Sequence, residues 1–541
     1  MDLHPAVAER LARLARDQQA AATAPPGPWL CIAPAGSGKT TTLVARAAWL
    51  IATGTPAETI RAITFNKRAA VEMTERLDAA VAPLGVAPGT VRVRTFHALG
   101  REILRDAGVA VEPLADRPAI LAEVAPWADE AVLLRLDTLI SRLKVELSVP
   151  AAEVEADPEA GPLAQAFVAY ERAVAATGGL DFDDLILRAI ERLDADPALL
   201  ARWHSRCTEL LVDEVQDVDR AQLRLALLLA APTNRIFLVG DDDQSIYGWR
   251  LADVRRILTL ESLLPGLRRV DLEVNYRCPR PVVERAVRLV EHNGERFAKT
   301  IRAGPAAAGR LILAPDASDE TERLERAMRS WPTDGSTRAI LARTNRELLP
   351  AIVVALRLRL PFRAPRIDLL VDSPIVDILV ERSATTADPD LPLLLVLGRV
   401  RTSVAGDPDA LEIATALLGW AVGHVDLGTF TRAIGEMRTL LAELRRDDAA
   451  LTLATAHATK GLEFDHVVVL GMEAGRFPSG RAVSQAEDPL RAYEEERRLA
   501  YVAWTRARRS LTLLYDPAVP SPFLLEAFSP EELGLDATMT G

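Results

Sequence analysis

Residues 33 to 40 read Ala33-Pro34-Ala35-Gly36-Ser37-Gly38-Lys39-Thr40, and this stretch decides the fold. A short apolar run, Trp29 to Ile32, precedes it, and residues 41 to 51 follow with helical spacing. Strand, glycine-rich loop and helix in this order are the context of the phosphate-binding pattern G-x-x-x-x-G-K-[ST], from which the chain departs only by Ala33 in place of the first glycine. The stretch therefore predicts an α/β fold with a phosphate-binding loop.

The residues of this loop have distinct expected roles. Gly36 and Gly38 allow backbone N–H groups to close around phosphate oxygens, and the next helix directs its positive end toward them. Lys39 would neutralise the β and γ phosphates of ATP, and Thr40 would hold Mg²⁺. ATP and Mg²⁺ are therefore the predicted cofactors.

The same alternation of strand and helix returns along the chain, which favours parallel sheets. Residues 83 to 202 and 368 to 446 instead show Leu-rich helical spacing, so both are expected to be helical insertions. The candidate strands after the first are Arg61 to Phe65, Glu209 to Val212, Arg235 to Val239, Arg338 to Ala342 and His466 to Leu470.

Two acidic loops follow candidate strands and carry residues suited to hydrolysis. Asp213 and Glu214 directly follow an apolar run, where Asp213 suits outer-sphere Mg²⁺ binding and Glu214 suits a general base that polarises water. This acidic motif continues as Val215-Gln216-Asp217. In the later loop, Asp241 to Arg250, Gln244 is expected to contact the γ-phosphate or the attacking water.

The later loop also carries Tyr247 and Trp249. Their rings offer faces on which unstacked bases rest, a contact worth about 1–3 kcal/mol per base. Taken alone, these two aromatic residues are compatible with a packed core as well.

The composition argues against several classes of protein. Subtracting 76 Asp and Glu from 64 Lys and Arg gives a net charge of −12, which argues against coating nucleic acid by bulk charge but allows a local basic track. The three cysteines show no C-x-x-C spacing, so neither disulfides nor a zinc site is expected. No apolar run reaches the roughly 18 residues of a membrane span. A cytoplasmic protein without a membrane partner is expected.

In order and identity, these motifs resemble those of the superfamily 1A DNA helicases of the UvrD/PcrA/Rep type. The resemblance runs from Gln18 to Arg509, nearly the whole chain. The further matching motifs are Thr64-Phe65-Asn66-Lys67-Arg68-Ala69-Ala70, Thr95-Phe96-His97-Ala98-Leu99, Asp181-Phe182-Asp183-Asp184-Leu185, Asn275-Tyr276-Arg277-Cys278, Thr455 to Phe464 and Tyr501-Val502-Ala503-Trp504-Thr505-Arg506-Ala507.

The resemblance implies an α/β fold of two RecA-like (P-loop NTPase) parallel-sheet lobes with helical insertions and with ATP between the lobes. Arg277 and Arg506 would reach the γ-phosphate from the second lobe as arginine fingers, because the guanidinium fork matches phosphate oxygens. Together with these two arginines, the implied catalytic residues are Lys39, Asp213, Glu214 and Gln244, and the implied metal ligands are Thr40 and Asp213.

The resemblance also implies how the nucleotide is held. Gln18 would read adenine, Tyr276 would stack on it, and Glu463 would couple nucleotide state to the lobe interface. Thr41 stands where many relatives have an arginine near adenine, which predicts looser base selectivity. The implied nucleotide-binding residues are Gln18, Ala33, Pro34, Ala35, Gly36, Ser37, Gly38, Lys39, Thr40, Thr41, Tyr276, Arg277, Glu463 and Arg506.

A groove for single-stranded DNA is implied as well, and it would also engage junctions between single-stranded and duplex DNA. Stacking on aromatic rings tolerates any base, so binding is expected to be independent of sequence. His97 and His457 are also compatible with packing or capping roles. The implied DNA-binding residues are Phe65, Thr95, Phe96, His97, Tyr247, Trp249, Arg250 and His457.

The expected domain boundaries follow from the same resemblance. Relatives have a much larger 2B domain, which can restrain unwinding, so a short one predicts altered control. The expected ranges are 1–82 and 203–275 for lobe 1A, 83–202 for insertion 1B, 276–367 and 447–541 for lobe 2A, and 368–446 for a reduced 2B-like helical insertion.

The leading functional hypothesis is an ATP-dependent helicase that moves 3′-to-5′ on single-stranded DNA and separates the duplex. The alternative is a DNA-stimulated ATPase that remodels protein–DNA complexes with a repair, recombination or replication partner and unwinds little by itself. A degenerate ATP-binding scaffold is disfavoured because every residue of the implied catalytic set is present. The sequence does not separate the first two hypotheses.

Overall fold

The computed structural model describes residues 3–157, 159–365, 367, 369–386 and 391–534. The strands are β1 Trp29–Ile32, β2 Ile60–Thr64, β3 Arg92–Thr95, β4 Glu209–Val212, β5 Ile236–Gly240, β6 Arg268–Asp271, β7 Val274–Asn275, β8 Arg302–Ala303, β9 Arg310–Pro315, β10 Arg338–Ala342, β11 Phe362–Arg363, β12 Leu451–Thr455, β13 Phe464–Val469 and β14 Ala507–Tyr515. The α-helices are α1 Pro5–Ala12, α2 Arg16–Ala22, α3 Lys39–Ala52, α4 Lys67–Val81, α5 Phe96–Asp106, α6 Arg117–Val124, α7 Glu130–Ser141, α8 Ala151–Ala156, α9 Pro162–Ala176, α10 Asp184–Ala195, α11 Pro197–Arg206, α12 Arg220–Ala230, α13 Val254–Leu258, α14 Leu260–Leu263, α15 Arg280–Val290, α16 Glu320–Arg329, α17 Leu349–Arg357, α18 Pro374–Thr386, α19 Leu393–Ser403, α20 Pro408–Trp420, α21 Leu427–Leu444, α22 Gly480–Ser484, α23 Pro489–Trp504 and α24 Pro522–Ala527.

Strands β1 to β6 form one sheet in the order β3-β2-β4-β5-β1-β6, and all of its pairings are parallel. Side chains alternate along β5, where Ile236 and Leu238 enter one apolar core while Phe237 and Val239 enter the core on the opposite face. Burial of both faces explains why these strands read as continuous apolar runs. The carboxyl ends of the strands meet at one edge, the usual position of ligand sites in such sheets.

Strands β9 to β14 form a second sheet in the order β11-β12-β10-β13-β14-β9, again entirely parallel. Ile340, Leu453 and Val468 from its central strands are buried in one core with residues of α16 and α17. The predicted α/β class, with two RecA-like parallel sheets, is confirmed.

Two helical groups have apolar cores of their own. Helices α6 to α9 pack around Leu136, Ile140 and Phe167, inside the range where the first insertion is predicted. Helices α18 to α21 pack around Leu397 and Phe430, inside the second predicted range. Asp368, the predicted start of that second range, lies outside the described residues.

Packing divides the described residues into two compact units, one formed by those between 3 and 309 with 481–505 and the other by those between 310 and 480 with 506–534. Segments 276–309 and 481–505, predicted to lie in the second lobe, therefore pack with the first sheet. The reason is local: β8 pairs with β7, which directly follows the first sheet, and α23 packs against α15.

Within the described ranges, no single helix is long and apolar enough to cross a membrane, and one pair of helices, 410–423 and 427–444, meets the criterion only jointly and with a bend of 107°.

Candidate functional site

The phosphate-binding loop joins β1 to α3 at the carboxyl edge of the first sheet. Gly36 and Gly38 have φ angles of 69° and 84°, which only glycine adopts without strain. A Cβ atom on Gly36 would lie 2.6 Å from Asn275 Oδ1, and one on Gly38 would lie 2.6 Å from Gln18 Nε2. Both glycines are therefore required by backbone conformation and by close packing.

The lysine that begins α3 is paired with the acidic end of β4. Lys39 Nζ lies 3.1 Å from Glu214 Oε2, and both side chains are mostly buried. Glu214 has a φ of 53°, a left-handed conformation that is costly for a residue with a Cβ atom. The strained backbone places this carboxylate beside the phosphate-loop lysine.

The residues at this edge fit ATP and a divalent cation. Thr40 and Asp213 offer hydroxyl and carboxylate oxygens, the ligands that Mg²⁺ prefers. Burial and the adjacent Glu214 carboxylate raise the pKa of Asp213 to about 7, as expected where acids outnumber the cations near them. Within the loop, the buried Ser37 Oγ has no hydrogen-bond partner among the described residues, which suits an atom that contacts phosphate.

A chain of hydrogen bonds connects Glu214 with Gln244. Gln216 Nε2 donates to Glu214 Oε2 at 2.6 Å, and Gln216 Oε1 accepts the backbone N–H of Asp241 at 3.0 Å. The Asp241 carboxylate in turn accepts from Gln244 Nε2 at 2.6 Å. The two acidic loops, separate in sequence, are thereby joined into one network.

The predicted adenine-binding residues lie beside the same loop. Gln18 is buried, donates from Nε2 to the Ser37 carbonyl at 2.7 Å and accepts the Ala15 N–H at 3.1 Å. Tyr276 is 48% exposed, and Thr41 is exposed at the start of α3. These positions allow Gln18 and Tyr276 to flank a base next to the loop.

The predicted arginine fingers fall in different units. Arg277 is in the first unit, where Asn275 Oδ1 accepts its N–H at 2.9 Å and its Nη1 donates to the Thr505 carbonyl at 3.3 Å. Arg506 is in the second unit, buried, and donates from Nη1 to the Leu462 carbonyl at 3.0 Å. The resemblance placed both in the second lobe, and Arg277 differs because residues 274–278 pack on the phosphate loop.

Glu463 and His457 also belong to the second unit. Glu463 Oε1 lies 3.4 Å from Arg508 Nη1. Burial, with added repulsion from Arg343 and Lys460, lowers the pKa of His457 to about 3, so this imidazole is neutral at physiological pH.

A cleft of about 620 Å³ opens beside the first sheet, between its strand ends and the helices α6 and α7. The structure brings most of the predicted DNA-binding residues of the first unit to this cleft, although Phe96 is largely buried in the core behind it. The predicted residues that line the cleft are Phe65, Thr95, Phe96, His97, Trp249 and Arg250.

Aromatic rings continue along the cleft wall. Tyr247 stacks on Phe65 with centroids 5.2 Å apart and meets Trp249 edge-on at 6.2 Å. The guanidinium of Arg250 lies 4.5 Å from the Trp249 centroid. Because Trp249 is 57% exposed, the wall presents an open aromatic face next to a cation.

Comparison with known proteins gives consistent matches over nearly the whole chain. Residues 14–265 match the family model of the UvrD/REP helicase N-terminal domain, and residues 432–517 match that of the UvrD-like helicase C-terminal domain. The ATP-dependent DNA helicase Rep of Salmonella typhimurium is 29% identical, over 95% of this chain and 94% of its own length. DNA helicase II of the same organism is 27% identical (92% and 84%), and PcrA of Leuconostoc citreum is 28% identical (90% and 80%).

The chain is a UvrD/PcrA/Rep-like, ATP-dependent DNA helicase. Enzymes of this family use ATP with a divalent metal. The alignments with helicase II and Rep extend over 616 and 643 positions, more than the 541 residues of this helicase, so these relatives carry residues that it lacks.

Two residues of this helicase's site had no role assigned from sequence. Gln216 was quoted only as part of the acidic motif, yet it joins the two acidic loops. Phe182 lies in the cleft wall, 54% exposed, with its ring stacked on His97 at a centroid distance of 3.8 Å. Burial lowers the pKa of His97 to about 4, so the stacked imidazole is neutral. For Gln216 and Phe182, membership in a motif was the signal available in the sequence, but the residues they contact are determined by tertiary packing.

Proposed function

We propose that this helicase moves 3′-to-5′ along single-stranded DNA and separates duplex DNA, driven by hydrolysis of Mg²⁺-bound ATP. The observation that carries the proposal is the hydrogen-bonded connection between the phosphate-loop site and the cleft. Hydrogen bonds run from Lys39 to Gln244, and the same segment reaches Tyr247 and Trp249 at the cleft within five residues. A structural change at the phosphate loop can therefore reach the cleft through few intervening residues, and a change at the cleft can reach the phosphate loop in the same way.

For hydrolysis, we propose that Lys39 neutralises the β and γ phosphates while Glu214 accepts the proton of the attacking water. Gln244 orients that water, and the Gln216 bridge keeps Gln244 and Glu214 in register. Thr40 and Asp213 would hold Mg²⁺, which when bound neutralises phosphate charge.

Two arginines complete the proposed catalytic set. Arg277, beside the phosphate loop, and Arg506, in the second unit, would stabilise negative charge on the γ-phosphate in the transition state. Gln18 would read adenine, Tyr276 would stack on it, and Glu463 would respond to the nucleotide.

The cleft of the first unit is proposed to hold single-stranded DNA, with His457 adding a contact from the second unit. Open aromatic faces at Trp249 and Phe182 support stacking of bases without sequence preference. Lys67 and Arg250 at the cleft supply charge for phosphates, so a cytoplasmic protein with a net charge of −12 binds DNA locally rather than by bulk charge.

Residues 368–446 are proposed to be a reduced 2B-like insertion between the two parts of lobe 2A. The small helical cluster α18 to α21 and the extra residues in the aligned relatives support this assignment. The same observation favours one second candidate function, an ATPase that remodels protein–DNA complexes and needs a partner to separate strands.

Displacement of streptavidin from biotinylated oligonucleotides tests the direction of movement. A motor moving 3′-to-5′ removes streptavidin from a 5′ end in an ATP-dependent reaction and leaves it on a 3′ end. Lys39→Ala should show no displacement from either end. Preferential release from the 3′ end would overturn the proposed direction.

A further inference from the structure

Three consecutive carboxylates follow β5, and all three are fully buried. Asp241, Asp242 and Asp243 each have no measurable exposed surface. Burial of three adjacent anions is strongly unfavourable unless cations and hydrogen-bond donors compensate. The structure must therefore supply those partners nearby.

The partners come from one short segment, residues 293–299, which lies after α15 in the chain. Lys299 Nζ lies 2.8 Å from Asp241 Oδ1 and 2.9 Å from Asp243 Oδ2, and it also contacts Asp242. Arg296 binds Asp243 through two parallel hydrogen bonds of 3.1 and 3.0 Å. Burial alone would lower the pKa of Lys299, but the three carboxylates outweigh it and raise that pKa.

This segment is fixed in turn by α23. Glu494 Oε1 accepts the N–H of Gly294 at 2.7 Å, and Arg498 Nη2 donates to the Glu295 carbonyl at 2.7 Å. The same helix reaches the cleft side of the Asp241–Arg250 loop, where Glu495 Oε1 accepts the N–H of Gly248 at 2.9 Å. Helix α23 and segment 293–299 therefore anchor the Asp241–Arg250 loop at both ends.

We propose that Lys299, which binds Asp241, and Arg296, which binds the neighbouring Asp243, are positioning residues that hold the turn carrying Gln244, so that DNA contact at Trp249 is converted into faster ATP hydrolysis. Asp241 Oδ1 accepts from Lys299 and from the Asp243 N–H, and its Oδ2 accepts from Gln244, so loss of the lysine removes the cation that holds the carboxylate orienting the Gln244 amide. The inference rests on the proposed function, because it assigns a route for DNA stimulation of that same site.

The test compares ATP hydrolysis with and without a single-stranded oligonucleotide. Arg296→Gln removes the bidentate bond, with Arg296→Lys as the variant that keeps the charge. Lys299→Met alone leaves three buried acids and risks unfolding, so it is combined with Asp242→Asn to restore the charge balance. The matched control is Arg255→Gln, an exposed arginine that also pairs with a carboxylate of the first unit, Asp253.

The expected result is that Arg296→Gln and Lys299→Met/Asp242→Asn lose DNA stimulation of kcat about 10- to 100-fold, with KM for ATP and Kd for DNA within about threefold of wild type. Arg296→Lys should recover part of the stimulation, and the control all of it. In a Gln244→Ala background, Arg296→Gln should add no further loss, because both changes act through one amide.

Two outcomes would overturn the inference. One is a folded Lys299→Met/Asp242→Asn variant with wild-type stimulation, which would show that only charge balance matters. The other is a fall in melting temperature and active fraction with an unchanged ratio of stimulated to unstimulated kcat, which would show a purely structural role. Failure of the proposed function is distinguishable in the wild-type enzyme: loss of DNA binding would abolish DNA stimulation altogether, whereas failure of strand separation alone would leave that stimulation in place to be compared with the variants.

Discussion

The two sheets of this helicase share an architecture but differ in the loops at the ends of their strands. Both have six parallel strands with buried faces. At the carboxyl edge of the first sheet lie a phosphate loop and the acids Asp213, Glu214 and Asp241 to Asp243, whereas β10 and β12 of the second sheet lead to Arg343, His457 and Lys460. The comparison shows that the same frame can carry different loops, and that the residues at the strand ends determine the charge each unit presents there.

The largest expected effect comes from breaking the phosphate site of the first sheet. Lys39→Ala should lower ATP hydrolysis at least about 1,000-fold, because Lys39 is the phosphate-loop cation that pairs with Glu214 at this edge. Steady-state phosphate release measures it. Lys67→Ala, another lysine of the first unit that lies at the cleft, is the control and should keep hydrolysis in the absence of DNA. Wild-type activity in Lys39→Ala would refute the phosphate-loop assignment.

The next prediction tests whether the second unit supplies a catalytic cation. Arg506→Lys keeps the charge but loses the planar fork, so kcat should fall about 100- to 1,000-fold with KM for ATP changed less than threefold. Arg509→Lys is the matched control, since Arg509 is 54% exposed and pairs with Asp334. A rise in KM with kcat preserved would mean that Arg506 binds nucleotide without stabilising the transition state.

A smaller effect concerns the cleft of the first unit. Trp249→Ala should weaken binding of a short single-stranded oligonucleotide by about 1–3 kcal/mol, or roughly 5- to 150-fold in Kd. Trp127→Ala is a close control, because Trp127 is 56% exposed against 57% for Trp249 and does not line the cleft. Fluorescence anisotropy gives both values. Equal losses in the two variants would contradict the assignment of the cleft to DNA.

The last expected effect is a gradual pH dependence of stability in the acidic first unit, small over any one pH unit. Asp219 accepts the Gln222 N–H at the start of α12, and burial near other acids raises its pKa to about 7. Because the folded state holds this proton more tightly than the unfolded chain does, stability falls by up to about 1.4 kcal/mol per pH unit between pH 4 and 7.

Asp219→Asn keeps the helix cap and removes the charge. The free energy of unfolding of this variant in urea should increase relative to that of the wild type as pH rises from 5 to 7. The difference should be retained at pH 8. An exposed cap, Asp196→Asn, is the control for loss of a capping carboxylate. A difference that does not change with pH would contradict the buried, protonated Asp219.

Much of the first sheet could be predicted from sequence because its signals are local. The predicted strands Trp29 to Ile32 and Glu209 to Val212 coincide with β1 and β4, and the phosphate loop lies between β1 and α3 as its pattern requires. The second sheet was recognisable for the same reason, since the predicted strand Arg338 to Ala342 coincides with β10.

The partners within the site could not be predicted, because they are set by tertiary packing. Gln216 and Phe182 stood in quoted motifs, but their contacts with Asp241 and His97 join residues 25 and 85 positions apart. The packing of α23 with the first unit was missed because sequence order placed it after the strands of the second. Lys299 lies in none of the sequence motifs, and only its contacts with the buried carboxylates of Asp241, Asp242 and Asp243 indicate its role.

Single-turnover unwinding, with DNA in excess over protein, separates a helicase that opens duplex DNA by itself from a translocase that needs a partner. The substrates are duplexes with a 3′ tail, a 5′ tail or no tail. We expect ATP-dependent strand separation of the 3′-tailed duplex alone. Separation of the 5′-tailed duplex, or DNA-stimulated hydrolysis with no separation of any substrate, would contradict a 3′-to-5′ helicase that unwinds by itself.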